Sequence, residues 1–423
     1  MELLEEILDR ENLNKAYKHV KTNKGAPGVD GVTIDEAYNY IAQNKEKLLQ
    51  QIRKRKYKPQ PVRRVQIPKE NGKKRNLGIP TVFDRIIQQA MVQVLSPIYE
   101  KQFSETSYGF RPGRSCEKAV IKALEYLNEG YEWIVDIDLE RFFDTVDQDR
   151  LINIIMRTIK DGDVVSLIRK YLSAGVMDGG IVKAIEKGTP QGGNLSPLLS
   201  NIMLNELDKE LESRGLNFVR YVDDCIILVK SEKAATRVLE SITKFIERKL
   251  GLKVNAEKSK ITRPTQTKYL GYGFWKDTKG RWKPKPHLKS YQKLIRKLKA
   301  LTKRSWSISL DNRIKQINYL VRGWVNYFRI ANMRDKIRKI DKHLRTRIRV
   351  IIWKQWKNIT RKEKALIQLG IERRLAHNIA STRKGYQFIA KMRWIVFALD
   401  NDRLRKRGLI MLLDQYSKVH IEI

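Results

Sequence analysis

The sequence is poor in the residues that build metal-bound and disulfide-bridged folds. Its 423 residues include two cysteines, Cys116 and Cys225, which stand in unrelated segments and form no C-x-x-C pair. The five histidines are scattered without the spacing of metal ligands. This scarcity argues against a structural zinc site.

The sequence also lacks long hydrophobic runs and is short of acidic residues. No apolar stretch reaches the roughly 18 residues of a membrane span, and the acidic start MELLEEILDR is unlike a secretory signal. We therefore expect a cytoplasmic protein with no membrane partner. Lys and Arg number 86 against 47 Asp and Glu, a formal net charge of +39, and such an excess indicates a polyanionic partner, nucleic acid before membrane.

What the sequence does contain is a pair of adjacent aspartates between two apolar runs. Residues 218–229 read FVRYVDDCIILV, a pattern that predicts two strands joined by a tight turn carrying Asp223 and Asp224. Neighbouring carboxylates in an apolar hairpin repel each other, so they require either exposure or a compensating cation. An exposed acidic turn is the simpler alternative, because Asp is a favoured turn residue.

Further acids lie upstream in a second apolar strand, WIVDIDLERFFD, at residues 133–144. Either Asp136 or Asp138, brought next to Asp223 and Asp224, would complete a site of three carboxylates. Hard oxygen ligands of this kind suit Mg²⁺. Two such ions can stabilise both the attacking and the leaving oxygen of an in-line phosphoryl displacement.

Together with the run GTPQGGNLSP at residues 188–197, these motifs occur in an order that resembles the reverse transcriptases encoded by bacterial group II introns, also called maturases. The resemblance implies an α+β right-hand polymerase with fingers, palm and thumb and a basic helical C-terminal domain. It implies an RNA-directed DNA polymerase that copies intron RNA into cDNA and a maturase that binds the intron RNA to assist splicing. The implied partners are intron RNA, an RNA template with a DNA primer, target DNA and deoxynucleotides, and a homodimer is compatible with them. The implied cofactor is two Mg²⁺ ions, for which Mn²⁺ can substitute.

The resemblance also assigns roles to individual residues. In the family an aromatic residue five positions after the first catalytic aspartate lies under the nucleotide sugar. Phe143 has this offset from Asp138, whereas the same offset from Asp136 falls on an arginine. The alignment therefore favours Asp138, Asp223 and Asp224 as catalytic, metal-binding residues, with Phe143 as the gate that excludes a 2′-hydroxyl. The other nucleotide-binding candidates are Lys69 and Arg75 on a basic hairpin, Gln191, and Lys258, for which an ordinary surface lysine is the alternative.

Basic residues outside this core are candidate nucleic-acid contacts. The loop SYGFRPGRS at residues 107–115 combines aromatics with arginines, a pairing that stacks on and clamps single strands. Residues 283–423 hold 37 Lys and Arg against 9 Asp and Glu, a net of +28, on three helical patterns whose apolar stripes leave basic faces outside. The nucleic-acid-binding candidates are Arg63, Arg64, Arg111, Arg114, Arg345, Arg347 and Arg349.

In family terms we expect four regions. These are an N-terminal extension at residues 1–50, fingers and palm at 51–282, a helical thumb (the maturase X domain) at 283–356, and a DNA/RNA-binding domain at 357–423. The sequence shows no Cys-rich endonuclease region, which resembles the compact, IIC-like class of these proteins. The residue before the aspartate pair is Val222, where the family more commonly has alanine.

Three alternative functions compete with this interpretation. A reverse transcriptase of the same fold serves defence or other retroelements, and the genomic surroundings of the reading frame would distinguish it. A splicing factor with a vestigial polymerase is the second alternative, and the three intact carboxylates argue against it. An RNA-templated RNA polymerase is the third, for which an aspartate would be expected in place of Phe143.

Overall fold

The computed structural model describes residues 2–68, 72, 74–184, 187–189 and 192–423. The chain divides into two compact units, residues 1–263 and residues 264–423. Helices and strands are mixed, as the predicted α+β class requires. None of the described helices combines the length and apolar character needed to cross a bilayer. The domain boundaries at residues 50, 282 and 356 stay predictions.

The first unit is largely helical, and side-chain caps fix where several of its helices begin. At one such helix start, Asp147 accepts a hydrogen bond of 2.9 Å from the backbone N–H of Arg150, which satisfies one of the free donors of the first turn. The helices are α1 Leu3–Leu8, α2 Arg10–Thr22, α3 Ala37–Arg53, α4 Val82–Glu100, α5 Cys116–Asn128, α6 Phe142–Thr145, α7 Gln148–Thr158, α8 Gly162–Leu172, α9 Ser196–Ser213 and α10 Glu232–Phe245, the last continued by a π-helical turn at Ile246–Leu250.

Two four-stranded sheets lie in the first unit. One has the order β2-β1-β4-β5 and the other the order β6-β7-β3-β8. The strands are β1 Val62–Pro68, β2 Lys74–Ile79, β3 Trp133–Ile137, β4 Val176–Asp178, β5 Ile181–Lys183, β6 Asn217–Tyr221, β7 Asp224–Val229 and β8 Lys260–Thr262.

The sheet of β1 and β2 confirms the predicted basic hairpin. The two strands are antiparallel, with Arg63 opposite Ile79 and Pro68 opposite Lys74. Strand β4 then joins β1 in parallel, with Val62 opposite Val176. This pairing joins segments more than 110 residues apart and has no local sequence signal.

The second sheet carries both acidic motifs. Strands β6 and β7 form the predicted hairpin, with Tyr221 opposite Asp224, and β3 pairs antiparallel with β7 on one side and β8 on the other. Helices α5, α9 and α10 contact this sheet. Its apolar side chains are almost completely buried on both faces of the sheet; they include Ile134, Val135, Ile137, Phe218, Val219, Ile226 and Ile227.

The second unit begins with an antiparallel hairpin and continues as helices. The hairpin strands are β9 Tyr272–Lys276 and β10 Trp282–Pro286. All three predicted helical patterns are confirmed, and their stripes are buried, with Ile317, Val321, Ile337 and Ile348 fully enclosed. The helices are α11 Leu288–Leu301, α12 Leu310–Tyr327, α13 Arg334–Gln355, α14 Ile359–Gln368, α15 Arg373–Ala380, α16 Tyr386–Ile389, α17 Arg393–Ala398, α18 Asn401–Lys406 and α19 Leu412–Val419.

Hydrogen bonds of buried polar groups hold α19 against the rest of this unit. The Asp341 carboxylate on α13 accepts hydrogen bonds of 2.8 and 2.9 Å from the backbone N–H groups of Leu412 and Leu413. The Tyr416 hydroxyl donates to the Ala331 carbonyl at 2.9 Å. Residues 412–419 therefore belong to the same packed unit as α12 and α13.

Candidate active site

The tight turn between β6 and β7 holds the adjacent aspartates. Val222 has a φ of +59°, a left-handed conformation that is unfavourable for a β-branched residue and must be imposed by its surroundings. The carbonyl of Val222 accepts a 2.9 Å hydrogen bond from Nη1 of Arg220, two residues earlier. The guanidinium of Arg220 therefore holds the turn in the conformation that presents Asp223.

Arg220 is the centre of a buried polar network that the sequence reasoning missed. Its Nε donates to the Asp208 carboxylate at 2.7 Å, and its Nη1 donates to Asn201 Oδ1 at 3.2 Å. The side chains of Arg220 and Asp208 are fully buried. A buried pair of charges is tolerated only when it is hydrogen-bonded on all sides. The signal was present in the sequence, because an arginine inside the apolar run FVRYV needs an internal partner.

The loop at residues 107–115 supports this turn from behind. The Tyr108 N–H donates to the Arg220 carbonyl at 2.9 Å, and Asn201 Nδ2 donates to the Gly109 carbonyl at 2.8 Å. A Cβ at Gly109 would lie 2.4 Å from Val222 Cγ2 and 2.5 Å from its backbone nitrogen. Only glycine therefore permits this close approach of the loop to the turn.

A cavity of about 860 Å³ lies in front of the turn and is lined by the predicted catalytic elements. Asp138 and Asp223 both face it, and Phe143 and Arg75 line it as well. The rest of the lining comes from residues 74–76, 138–144 and 253–258. The structure thus brings together the end of β3, the β6–β7 turn, the start of β2 and the segment before β8.

The pKa of Asp223 reflects its surroundings in this cavity. Burial raises the pKa of Asp223, and the neighbouring charge of Asp138 raises it further, against an opposing effect of Arg75. The raised pKa means that the ionised form of Asp223 is disfavoured in this cavity. A hard divalent cation bound by the oxygens of both carboxylates would stabilise the ionised form. The pair therefore fits the predicted metal site.

Asp138 already has a cationic partner from the protein. Lys258 Nζ lies 3.0 and 3.3 Å from the two carboxylate oxygens of Asp138. The segment before β8 runs beside the end of β3, because Asn255 N–H donates to the Asp138 carbonyl at 2.8 Å and Asp138 N–H donates to Ser259 Oγ at 3.0 Å. The Lys258 side chain is 65% exposed but forms an ion pair with the Asp138 carboxylate, and its role in catalysis stays a prediction.

Asp224 and Asp136 have different surroundings from this pair. Asp224 is exposed at the start of β7, and within the described residues no group of three or more His, Cys, Asp or Glu side chains converges as a ready-made metal site. Asp136 is paired with Ile226 and Lys260 inside the sheet, where burial raises its pKa to about 6. The lining of the cavity includes Asp138 and not Asp136, which supports the choice of Asp138 as the metal ligand.

Phe143 forms part of the cavity wall beside Asp138. Its ring meets that of the buried Phe142 edge-on, with centroids 5.2 Å apart. Its carbonyl accepts a 2.7 Å hydrogen bond from the Thr189 N–H, which connects the Phe143 turn to the predicted nucleotide-binding run. Gly188 has a φ of +92°, and a Cβ there would lie 2.6 Å from the Phe143 carbonyl oxygen. The glycine is thus required for this contact.

The remaining nucleotide-binding candidates are divided by what the structure describes. Arg75 and Lys258 both line the cavity with the carboxylates. Lys69 and Gln191 lie outside the described residues, so their roles stay predictions.

Two of the seven arginines predicted to bind nucleic acid, Arg111 and Arg349, are buried, and their role in binding nucleic acid stays a prediction. Arg111 donates to the Glu100 carboxylate at 2.7 Å and to the Ser107 carbonyl at 2.7 Å, and Arg349 donates to the Leu399 carbonyl at 2.9 Å. The guanidinium of each residue donates to groups of the protein itself, and the apolar stem of each side chain is buried.

The other five arginines are partly accessible. Arg63 donates to the Pro27 carbonyl at 3.0 Å, Arg64 pairs with Asp178 at 3.1 Å, and Arg114 pairs with Glu105. Arg345 and Arg347 are half-buried on α13. The roles of these five residues in binding nucleic acid stay predictions.

Comparison with known proteins identifies two domains in the chain. A family model described as reverse transcriptase (RNA-dependent DNA polymerase) matches residues 67–274, and one described as group II intron, maturase-specific domain matches residues 291–368. The first match contains every residue that lines the cavity described above. The second match begins within α11 and ends with the last residue of α14.

Individual relatives are similar over the same part of the chain. Protein YkfC of Escherichia coli (strain K12) is 36% identical over 299 residues, which are 61% of this chain and 78% of YkfC. Group II intron-encoded protein LtrA of Lactococcus lactis subsp. cremoris is 34% identical over 323 residues, so this chain spans about half, 54%, of LtrA. A solved structure of telomerase from Candida albicans overlays with a TM-score of 0.41 and 14% identity over 75% of this chain and 63% of that chain.

These matches fall on the segments that carry the acidic hairpin, the cavity and the basic helices. The reverse transcriptase match supports the right-hand polymerase fold that the motif order predicts. With its reverse transcriptase domain followed by a maturase-specific domain, the chain belongs to the group II intron-encoded reverse transcriptases.

Proposed function

We propose that this protein copies its intron RNA into DNA in the cavity of the first unit and binds the same RNA to assist splicing. The observation that carries the polymerase assignment is that Asp138 and Asp223 line the same cavity as Arg75 and Lys258. Acidic groups that bind a metal and cationic groups that bind a triphosphate are the two requirements of nucleotidyl transfer.

The metal would be held by Asp138 and Asp223, with Asp224 beside them. When bound there, Mg²⁺, or Mn²⁺ in its place, would supply positive charge to the attacking and leaving oxygens. The three carboxylates would need to be ionised to bind it, and the raised pKa of Asp223 makes binding of the metal weaker at low pH.

The protein's own side chains then orient the nucleotide. Arg75 contacts the triphosphate, and its guanidinium suits phosphate oxygens through paired hydrogen bonds. Lys258 moves between Asp138 and the leaving pyrophosphate, to which it can donate a proton. Phe143 lies against the sugar and excludes a 2′-hydroxyl by its bulk. Lys69 and Gln191 remain candidates for further contacts to the triphosphate and the base.

Intron RNA binding is assigned mainly to the second unit. Its residues 283–423 carry a net charge of +28, and part of this unit matches the maturase-specific domain. Lysine and arginine that neutralise phosphates release condensed counterions, which supplies most of the affinity for structured RNA. We further propose a cytoplasmic site of action, with target DNA as a second ligand and a homodimer as one possible assembly.

The polymerase proposal is tested by primer extension on an RNA template with deoxynucleotides. Asp223→Asn should abolish cDNA synthesis, because the amide cannot supply a negative charge to a metal while its shape is nearly unchanged. Asp35→Asn, an exposed aspartate far along the chain from the motifs, is the matched control and should extend normally. Normal extension by the Asp223→Asn protein would refute the assignment.

A further inference from the structure

A second cavity lies in the other unit, between the end of α11, the middle of α13 and the start of α16. It measures about 400 Å³, within the range of roughly 300–1,000 Å³ typical of small-ligand sites. No acidic residue contributes to its lining. The lining residues are Thr302, Arg304, Arg347, Val350, Gly385, Tyr386 and Gln387.

An arginine and a tyrosine are stacked in this cavity. The Arg304 guanidinium carbon lies 4.8 Å from the centroid of the Tyr386 ring. Guanidinium and phenol planes are both surfaces on which unpaired bases stack. A base that entered the cavity would extend an existing stack by one layer.

The loop that carries Arg304 is held in place by cations bound to its carbonyl groups. Lys354 Nζ donates to the Arg304 carbonyl at 3.2 Å. The buried Arg313 donates to the carbonyls of Leu301 at 2.7 Å and Trp306 at 2.6 Å. Because these bonds fix the loop before any ligand arrives, little conformational entropy would be lost on binding.

Arg347 supplies positive charge to the same cavity. Its Nη2 donates to the carbonyls of Lys299 at 3.1 Å and Thr302 at 3.2 Å, and its Nε bonds the Thr302 hydroxyl. The side chain also lines a neighbouring cavity of about 320 Å³, together with Lys299, Lys339 and His343. That cavity has no acidic lining residue either. Positive charge therefore continues from one cavity to the next, as an anionic strand would require.

We propose that the Arg304–Tyr386 cavity receives one unpaired nucleotide of an RNA strand. The base joins the stack of Arg304 and Tyr386, and the adjoining phosphates contact Arg347 and the lysines of the neighbouring cavity. RNA is favoured over DNA because four of the seven lining residues lie within residues 291–368, the maturase-specific match. The inference rests on the proposed RNA binding of this unit, and it adds the start of α16 at residues 385–387, which lies outside that match.

Fluorescence anisotropy with two short RNA duplexes tests the proposal. One duplex is fully paired, and the other is identical except for a single bulged adenosine. The wild-type protein should bind the bulged duplex about tenfold more tightly, a difference of about 1.4 kcal/mol, as expected for one stacked base. Tyr386→Ala should remove this preference, whereas Tyr386→Phe should keep it because the ring remains.

The control variant is Tyr319→Ala, which removes a tyrosine that is 63% exposed on α12 and lines neither cavity. It should retain the tenfold preference. A tenfold preference that survives Tyr386→Ala would overturn the proposal, as would a bulged DNA duplex preferred as strongly as the bulged RNA. Equal binding of both RNA duplexes by the wild type would overturn this inference alone, whereas binding of neither would also contradict the proposed function.

Discussion

Asp136 and Asp138 stand two residues apart on one strand but have different surroundings. Asp138 lines the cavity with Asp223, and Asp136 lies between β7 and β8 within the sheet. We therefore expect Asp138→Asn to lose cDNA synthesis and Asp136→Asn to be slowed at most. Primer extension by the two variants under identical conditions measures this difference. The reverse ranking would show that the metal ligand was assigned to the wrong aspartate.

Asp136 should also affect how the free energy of unfolding depends on pH. Its pKa is about 6 in the folded protein, because burial disfavours the charge, and near 3.8 when unfolded. As the pH rises, the unfolded chain therefore loses this proton at a lower pH than the folded protein does. The contribution of Asp136 to the free energy of unfolding falls between about pH 4 and pH 6 and is constant above that range. From pH 3.5 to pH 7.5, Asp136→Asn should gain up to roughly 3 kcal/mol relative to wild type. Urea unfolding at both pH values checks this, and a constant difference would contradict it.

Phe143 should determine which sugar the enzyme accepts. Its ring lines the cavity next to Asp138, so shortening it to alanine removes bulk where a 2′-hydroxyl would lie. Phe143→Ala should admit ribonucleotides and keep the use of deoxynucleotides, because discrimination by shape is lost without loss of the carboxylates. Primer extension with each nucleotide type measures this change. Undiminished rejection of ribonucleotides would exclude the role.

At the scale of elements, the β6–β7 hairpin depends on a buried ion pair as well as on its strand pairing. Asp208 on α9 is the partner of Arg220, which also bonds the Val222 carbonyl in the turn. Asp208→Asn leaves the Arg220 charge buried without its counterion and should cost about 3–5 kcal/mol of unfolding free energy. Chemical denaturation of the purified variant measures the loss.

The matched control for this change is Asp149→Asn. Asp149 pairs with Arg169, and both side chains are more than half exposed. Breaking such a surface pair should cost no more than about 1 kcal/mol. If the two variants were destabilised equally, Arg220 would not be the anchor of the hairpin that we infer.

Much of the element structure follows from local sequence patterns. The apolar runs around Asp223 predict the β6–β7 hairpin, and the apolar stripes at helical spacing predict α11, α12 and α13, since both patterns act over a few residues. The parallel pairing of β1 with β4 and the contact of Gly109 with Val222 join distant segments. Their cause is tertiary packing, which no local pattern records.

The candidate site shows the same division. The resemblance of the motifs to the family was enough to select Asp138, Asp223 and Phe143, which the structure places in the lining of one cavity. It could not find the contact of Lys258 with Asp138 or the network around Arg220, because these depend on where backbone segments meet in space. It also did not show that the stems of Arg111 and Arg349 are enclosed, since composition does not reveal which arginines are buried.

At the scale of the whole molecule, charge is unequally distributed along the chain. The net charge of +28 in residues 283–423 leaves +11 for the first 282 residues. The affinity for structured RNA should therefore fall steeply as the salt concentration rises. The double variant Lys336→Glu with Lys342→Glu on α13 should reduce the slope of log affinity against log salt concentration by about 1–2, because each phosphate contact contributes roughly 0.7–0.9. Both lysines are exposed, so the fold should survive.

The control for these reversals is Lys233→Glu with Lys244→Glu, two exposed lysines on α10 in the first unit. The charge change is identical, so any general effect of net charge is shared by both double variants. An equal change in slope for both pairs would show that RNA binding is not concentrated in the second unit.

The central claim is that polymerisation and RNA binding reside in different parts of the chain. The most direct measurement compares Asp223→Asn with wild type in two assays, cDNA synthesis on a primed RNA template and binding to RNA transcribed from the intron that surrounds this reading frame. We expect the variant to make no cDNA and to bind the intron RNA with wild-type affinity. A variant that polymerises nothing and also fails to bind the RNA would contradict it.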